Sequence, residues 1–409
     1  MAAKCIMLVA DGMGDRPVPE LGGLTPAEAA NAPHLQRLAA EGICGLLAPI
    51  KPGVRAGSDT AHLALLGYDP YQTYTGRGPF EALGIGMEVR RGDICFRCNF
   101  ATVDQHLVVL DRRAGRIASG TGELAQALNG MQLTGGVIAL FKESVEHRAA
   151  LILRGEGLGH QVSDADPHAE SQPVHEVVGA DPAGARTAAA VNEFVRRSHE
   201  ILKDHPLNRQ RQAQGLPTAN IVLPRGAGVA PHLTPFQEKY GFSGAAVVEV
   251  GLIKGIARYL GMEVVEVAEA TGGYDTDEQA LGRAALAALG RHDFVLCNLK
   301  APDLAGHDGD AMRKVATMGK VDNLAGVLLG GLPPETLLVC CADHSTPVAV
   351  RDHSGDEVPF LLWGPGVRTD AVAAFGERPM MAGGLGHLTG NDVMPVITNL
   401  MNRQEKFGA

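Results

Sequence analysis

The chemistry this chain can do is concentrated in a few short stretches of acids and imidazoles. Asp11 follows the apolar run Cys5–Ala10 and is followed by Gly12-Met13-Gly14. Asp303 comes shortly after a second run, Phe294–Leu299, with His307 four residues further on. Asp343 and His344 close a third run, Leu337–Cys341, and His353 precedes the next one, Val358–Trp363. Carboxylate oxygen mixed with imidazole nitrogen suits Mn2+ or Zn2+ better than Ca2+, which prefers oxygen alone. The set is larger than one ion needs. Two ions about 3.5–4 Å apart make the clamp used in phosphoryl transfer. Each acid also has a plainer reading, since Asp at a strand end often only caps the next helix.

Phosphoryl transfer through the protein also needs a nucleophile. The segment Gly57-Ser58-Asp59-Thr60-Ala61-His62-Leu63-Ala64-Leu65-Leu66-Gly67 reads as a loop, a helix start, an apolar turn and a glycine stop. Ser58 then sits at or just before a helix N-terminus, where free N–H groups and the macrodipole favour a phosphate. A serine hydroxyl is a weak nucleophile near neutrality, and coordination to a divalent ion can deprotonate it. The competing reading makes Ser58 or Asp59 simply the helix cap.

These residues need a frame. The short Val/Ile/Leu-rich runs Cys5–Ala10, Ala245–Val250, Val264–Val267, Phe294–Leu299, Leu337–Cys341 and Val358–Trp363 read as buried parallel strands. Helical patterns alternate with them at Ala32–Glu41, Leu252–Leu260 and Glu278–Leu289. That alternation predicts an α/β fold with a doubly wound, mostly parallel sheet. In such sheets ligands bind beyond the carboxyl ends of the strands, which is where the acids fall. Residues 89–225 read differently, as an inserted α+β domain. They offer a hairpin around Leu107–Leu110 with a turn at 111–115, a strand at Ala149–Leu153 and a helix near Thr187–Leu202. The remainder, 1–88 and 226–409, forms the metal-binding domain.

At 409 residues two domains are expected. The net charge of −10 and the lack of a basic block exclude a nucleic-acid surface. An anionic substrate therefore needs local cations. No run of about 18 apolar residues suggests a membrane span, and the start lacks a secretory pattern, so the expected location is cytoplasmic. The seven cysteines are scattered; Cys95 and Cys98 read as a buried reduced pair, and Cys340 and Cys341 as core. There is no GxGxxG, no P-loop and no GxSxG elbow. The sequence carries no signal for an oligomeric state.

Longer motifs now stand out: Asp11-Gly-Met-Gly-Asp-Arg-Pro17, Glu20-Leu-Gly-Gly-Leu-Thr-Pro26, Gly57-Ser-Asp-Thr-Ala-His62 and Thr75-Gly-Arg-Gly-Pro-Phe-Glu81. Others are Arg97-Cys-Asn-Phe-Ala-Thr102, Ser163-Asp-Ala-Asp-Pro-His168, Leu223-Pro-Arg-Gly-Ala-Gly228, Lys300-Ala-Pro-Asp303 and Gly306-His-Asp-Gly309. With these the chain resembles, nearly end to end, the archaeal-type cofactor-independent phosphoglycerate mutases of the alkaline phosphatase superfamily. The resemblance implies interconversion of 3- and 2-phosphoglycerate, in glycolysis and gluconeogenesis, without bisphosphoglycerate. It implies Ser58 as the phosphoserine nucleophile. Asp11, Ser58, Asp343 and His344 would hold one divalent ion, and Asp303, His307 and His353 the other. Mn2+ is the ion most relatives use, with Zn2+ or Mg2+ as substitutes. A phosphatase, or a homoserine kinase-like phosphotransferase of the same superfamily, would share this set and remains the alternative.

The resemblance makes the insert a substrate-gripping lid. Arg148 and Arg154 flank an apolar run with even spacing, which puts both on one face of a strand. Their guanidinium forks, with that of Arg225, suit the carboxylate and phosphate of a phosphoglycerate. Surface ion pairing is the plainer reading of each. Asp166 and His168 are expected to orient or protonate the glycerate. His387, in a Gly-rich loop, competes with His353 as the last ligand, and the resemblance favours His353.

Overall fold

The computed structural model describes residues 2–404, 406 and 408. Its strands in chain order are β1 (Lys4–Ala10), β2 (Ile43–Ala48), β3 (Ile94–Val103), β4 (Val109–Asp111), β5 (Met131–Leu133), β6 (Val137–Glu143), β7 (Arg148–Arg154), β8 (Ile221–Val229), β9 (Gly244–Val247), β10 (Glu263–Val264), β11 (Phe294–Leu299), β12 (Thr336–Cys341), β13 (Val358–Trp363) and β14 (Gly386–Thr389). The chain divides into two compact units, Met1–Tyr74 with Leu233–Ala409, and Thr75–His232. The second unit thus begins before residue 89 and ends after residue 225. Two packing facts explain the shift. The helix Gly78–Gly84 packs on β3 and β8, with Gly78 so close that a Cβ there would fall 2.0 Å from Cys95 O. Arg225 lies in the middle of β8 rather than at its end.

The larger unit is built on an eight-stranded sheet in the order β10-β9-β11-β1-β12-β13-β2-β14. β1 lies at its centre, pairing in parallel with both β11 and β12. Cys5 through Ala10 are fully buried, as expected of a strand covered on both faces. The helices Glu278–Leu289 and Ala311–Gly331 pack on one another beside it.

One strand departs from the sequence reading. β13 runs antiparallel to both β12 and β2. The connection between β12 and β13 contains no helix, only loop and isolated bridges. A chain without a crossover cannot return to the amino end of the sheet, so it re-enters where it left and runs backwards. The connection, which carries Asp343, His344 and His353, therefore stays at the carboxyl edge. The apolar run alone could not reveal this, because burial looks the same in either direction. β2 and β14 were not anticipated; Gly45 and Gly386, which sit against each other, interrupt their apolar pattern.

The smaller unit holds a sheet ordered β4-β3-β7-β6-β5, with β8 paired to β3 as well. Its core joins Phe96, Phe100, Phe141 and Phe194, the last from the helix Pro182–Leu202. The expected turn at 111–115 is not a hairpin connection. β4 pairs back onto β3, so the reversal lies at 104–108, where Asp104 Oδ1 accepts from His106 and Val108 N–H. Cys95 and Cys98 are buried but do not form a pair. Three residues apart on one strand, they point to opposite faces and join different apolar clusters.

Candidate active site

β1, β11 and β12 end side by side, and each delivers a carboxylate beyond its last residue. Asp11 follows β1, Asp343 follows β12, and Asp303 lies in the first turn of the helix Ala301–Asp308 after β11. All three are buried. Gly12 lets the chain leave Asp11. Its φ of 62° is left-handed, its N–H donates to Asp343 Oδ1 at 3.1 Å, and a Cβ there would lie 2.7 Å from Asp303 Cβ. Any side chain at 12 would push Asp303 away from Asp11.

Two groups of potential ligand atoms result. One joins Asp11, Asp343 and His344; the other joins Asp303, His344 and His353, with the atoms of each within 4.8 Å of one another. His307 completes the second neighbourhood, its Nε2 lying 3.5 Å from Asp303 Oδ1, where His353 Nε2 is 3.6 Å away. The spacing of Asp303 and His307 explains this, since i and i+4 share a helix face. His387 belongs to neither group. It is exposed on β14 and its Nδ1 pairs with Glu357.

Three imidazoles are oriented in the same way. His344 Nδ1 donates to Thr346 Oγ1 at 3.0 Å, and the threonine hydroxyl passes its own hydrogen to Asp303 Oδ1. His353 Nδ1 donates to Ala56 O at 2.8 Å, and His307 Nδ1 to Arg351 O at 3.0 Å. Each ring spends its N–H on an oxygen behind it and turns the Nε2 lone pair toward the carboxylates. That is how metal-ligating histidines are normally fixed. Burial lowers the pKa of His344 to about 4, against the pull of Asp343 and Asp303, so the ring is neutral near pH 7. Asp343 Oδ2 is buried without a hydrogen-bond partner, a lone pair that a cation would satisfy. The donor set therefore fits divalent ions.

Ser58 is the first residue of the helix Ser58–Leu65. It is not the cap. Gly57 holds that position, bonded to Thr60 Oγ1, while Asp59 accepts from Thr60 N and from Tyr74 Oη. The Ser58 hydroxyl is left facing His344 Nε2 at 3.2 Å. His62, one turn on and fully buried, donates from Nδ1 to Ser58 O at 2.7 Å and lies 3.6 Å from Asp343 Oδ2.

Lys300, the first residue of the Lys300-Ala-Pro-Asp303 motif, is a site residue that the sequence alone does not reveal. Its Nζ lies 2.7 Å from both Asp11 Oδ1 and Asp303 Oδ2. Burial works against its charge, but Asp11, Asp303 and Asp343 outweigh that and raise its pKa. Burial likewise works against the charge of Asp303, yet Lys300, His344 and His307 hold its carboxyl below the usual range. Asp11, where burial and Asp343 dominate, is pushed above it.

In the smaller unit the expected arginines have different fates. Arg148 and Arg154 do share one face of β7, with Ala150 and Ile152 between them. Arg154 is committed to Asp93, donating from Nε at 2.9 Å and from Nη2 at 2.7 Å. Arg148 is exposed at the other end of the strand. Arg225 pairs across the ladder with Arg97, which opens one of the sequence motifs but was given no role there. Both Nε atoms are buried without a hydrogen-bond partner, and burial lowers the Arg97 pKa to about 10. Two cations side by side on adjacent strands are costly unless anions answer them; Glu81 Oε1 lies 3.7 Å from Arg97 Nε and Asp166 Oδ2 lies 3.7 Å from Arg225 Nε. The period-2 register could have found Arg97, but only once its partner strand was known. Asp166 is fully buried; burial alone would raise its pKa, but a bidentate pairing with Arg112 outweighs that and holds it low. A carboxylate so held anchors arginine and is a poor proton donor. His168 is half exposed and pairs with Asp164 at 3.0 Å.

Fold and site together carry the donor set of a divalent-metal enzyme with a serine beside it. Comparison narrows the class. A sequence profile of 2,3-bisphosphoglycerate-independent phosphoglycerate mutase matches residues 39–208. A mutase of that name from Methanothermobacter thermautotrophicus is 51% identical over 411 residues, covering 99% of this chain and 100% of its own. One from Methanopyrus kandleri is 53% identical over 415 residues, covering 99% and 98%. Among solved structures, a Pyrococcus horikoshii protein superposes with a TM-score of 0.88 at 38% identity over the whole of both chains. A cofactor-independent phosphoglycerate mutase from Thermoplasma acidophilum gives 0.74 at 37% identity, covering 98% of this chain and 100% of its own. The chain belongs to the 2,3-bisphosphoglycerate-independent phosphoglycerate mutases.

Proposed function

We infer that this protein interconverts 3-phosphoglycerate and 2-phosphoglycerate by two successive phosphoryl transfers through Ser58, without a bisphosphoglycerate cofactor. The observation that carries this is the orientation of three imidazoles. His307, His344 and His353 each commit Nδ1 to an oxygen behind and aim Nε2 at buried carboxylates beside Ser58. Asp11, Ser58, Asp343 and His344 are assigned to one divalent ion, and Asp303, His307 and His353 to the other. Mn2+ suits this mixture of carboxylate and imidazole. Bound there, the ions would neutralise and polarise the phosphoryl group.

The chain's own part follows from position. Ser58 Oγ gives up its proton and forms the bond to phosphorus as the glycerate oxygen leaves in line and takes up a proton, and the helix N-terminus beneath it favours the charge on the phosphoryl oxygens. His62 donates to the Ser58 carbonyl and so ties down the first turn of the helix that carries the hydroxyl. The second transfer returns the phosphoryl to the other hydroxyl of the retained glycerate. Arg97, Arg148 and Arg225 supply guanidinium groups for the substrate's anionic ends, while Arg154 serves Asp93. No described helix is long and apolar enough to cross a membrane, and a glycolytic substrate suits the cytoplasm. The test is to incubate the pure protein with 3-phosphoglycerate and follow 2-phosphoglycerate against free phosphate. Mutase flux that needs no bisphosphoglycerate and stops on complete chelation is expected. Release of phosphate without 2-phosphoglycerate would make the protein a hydrolase instead.

A further inference from the structure

Lys300 occupies an unusual place in the two-ion arrangement. Three buried carboxylates, Asp11, Asp303 and Asp343, converge where water cannot solvate them. Burying that much like charge is expensive unless a cation answers it. The Lys300 ammonium does so, 2.7 Å from Asp11 Oδ1 and 2.7 Å from Asp303 Oδ2, and thus spans the two ligand groups. Its backbone is fixed too. Lys300 N–H donates to Glu249, a buried carboxylate also held by Thr276 and by Gly272 N–H. Both ends of the lysine are therefore tied, and its head cannot wander far from the carboxylates.

The two contacts differ. On Asp303 the lysine uses Oδ2, while Oδ1 faces His307 and His353. On Asp11 it uses Oδ1, the same oxygen that lies 3.7 Å from His344 Nε2, while Oδ2 accepts from Asn298. An ion in the Asp303 group can leave the lysine where it is. An ion in the Asp11 group that uses Oδ1, the oxygen facing His344, meets the lysine already there.

We propose that Lys300 is the internal counterion of this metal site, holding Asp11 and Asp303 together in the unloaded chain and competing with the divalent ion for Asp11 Oδ1. The inference rests on the two-ion reading above. Two consequences follow from charge and mass action. Without the lysine the empty site repels itself, so the metal-free protein loses stability. Without its competitor, the ion at Asp11, Asp343 and His344 binds more tightly. A residue that merely packed against the site would change neither metal affinity nor the dependence of stability on metal in this direction.

The experiment uses the full chain as parent, Lys300→Met and Lys300→Arg, stripped of metal and then titrated with Mn2+. Melting temperature and calorimetric Mn2+ binding are read together. For Lys300→Met the stripped protein should melt below the parent, Mn2+ should raise its melting temperature by more, and one Mn2+ binding step should tighten by about tenfold or more. Lys300→Arg, which keeps the charge, should stay near the parent. If Lys300→Met does not accumulate as folded protein, Lys300→Gln is read by the same two measurements. A stripped neutral variant that melts with the parent, or Mn2+ binding that is unchanged or weaker, would overturn the proposal. A parent that binds no Mn2+ at all would instead remove the two-ion reading.

Discussion

The hydroxyl of Thr346 donates to Asp303 Oδ1 at 2.7 Å. Through the same oxygen it accepts from His344 Nδ1, so one side chain sets the directions of a carboxylate and an imidazole that share the Asp303, His344 and His353 group. Thr346→Val keeps the shape and removes the relay. Metal affinity should fall about 10- to 100-fold, the usual cost of losing an outer partner of a ligand. Equal Mn2+ affinity in variant and parent would show that the ligands hold themselves.

Ser58→Ala should abolish turnover and the covalent phosphoenzyme while leaving the fold intact. The helix cap lies at Gly57 and Thr60, so the substitution removes no capping bond. Mass spectrometry after incubation with 3-phosphoglycerate is the readout. Residual activity above about 1% of the parent, roughly 2.7 kcal/mol in barrier terms, would place the nucleophile elsewhere.

His353→Ala and His387→Ala discriminate the two candidate ligands. His353 faces Asp303 and stacks on His344 with ring centroids 3.6 Å apart, whereas His387 is exposed and pairs with Glu357. Removing His353 should raise the Mn2+ requirement sharply, and removing His387 should hardly change it. The reverse order in a metal titration would exchange their roles.

Arg97 and Arg154 should fail in different ways. Arg97→Met removes a buried guanidinium whose Nε has no hydrogen-bond partner and whose nearest carboxylate, Glu81, keeps its bond to Arg77, so KM for phosphoglycerate should rise about tenfold or more with little loss of stability. Arg154→Met strands the buried Asp93 and should cost about 2 kcal/mol of stability while sparing KM. Chemical denaturation alongside kinetics separates the two, and a KM effect confined to Arg154 would return it to the substrate site.

His147 gives the smaller unit an acid sensitivity. Burial, reinforced by Arg148, Arg113, Arg97 and Arg116, lowers its pKa from 6.5 to about 4. Between those values the unfolded chain binds a proton that the folded chain refuses. Stability therefore falls as pH drops through that window and levels off below about 4. The slope from this one group is at most about 1.4 kcal/mol per pH unit. His147→Gln should flatten the pH dependence of unfolding near pH 5 by up to that amount. Parallel curves for parent and variant would mean that the ring titrates normally.

By itself the sequence determined the alternation of strands and helices, the acids at the strand ends and the family. These are local facts. An apolar run followed by Asp, or Asp and His one helical turn apart, can be read without knowing what lies beside them. Tertiary structure decided what depends on neighbours far along the chain. The direction of β13 followed from a connection without a crossover helix, invisible in a run that is buried either way. Arg97 gained its meaning only when β8 set Arg225 beside it, and Arg154 became a structural partner only when Asp93 came within 2.7 Å. Lys300 stood in a motif without a role of its own. Its role arose because Asp11, 289 positions away, brings a carboxylate to the same point, and the energy of a buried charge is set by what surrounds it.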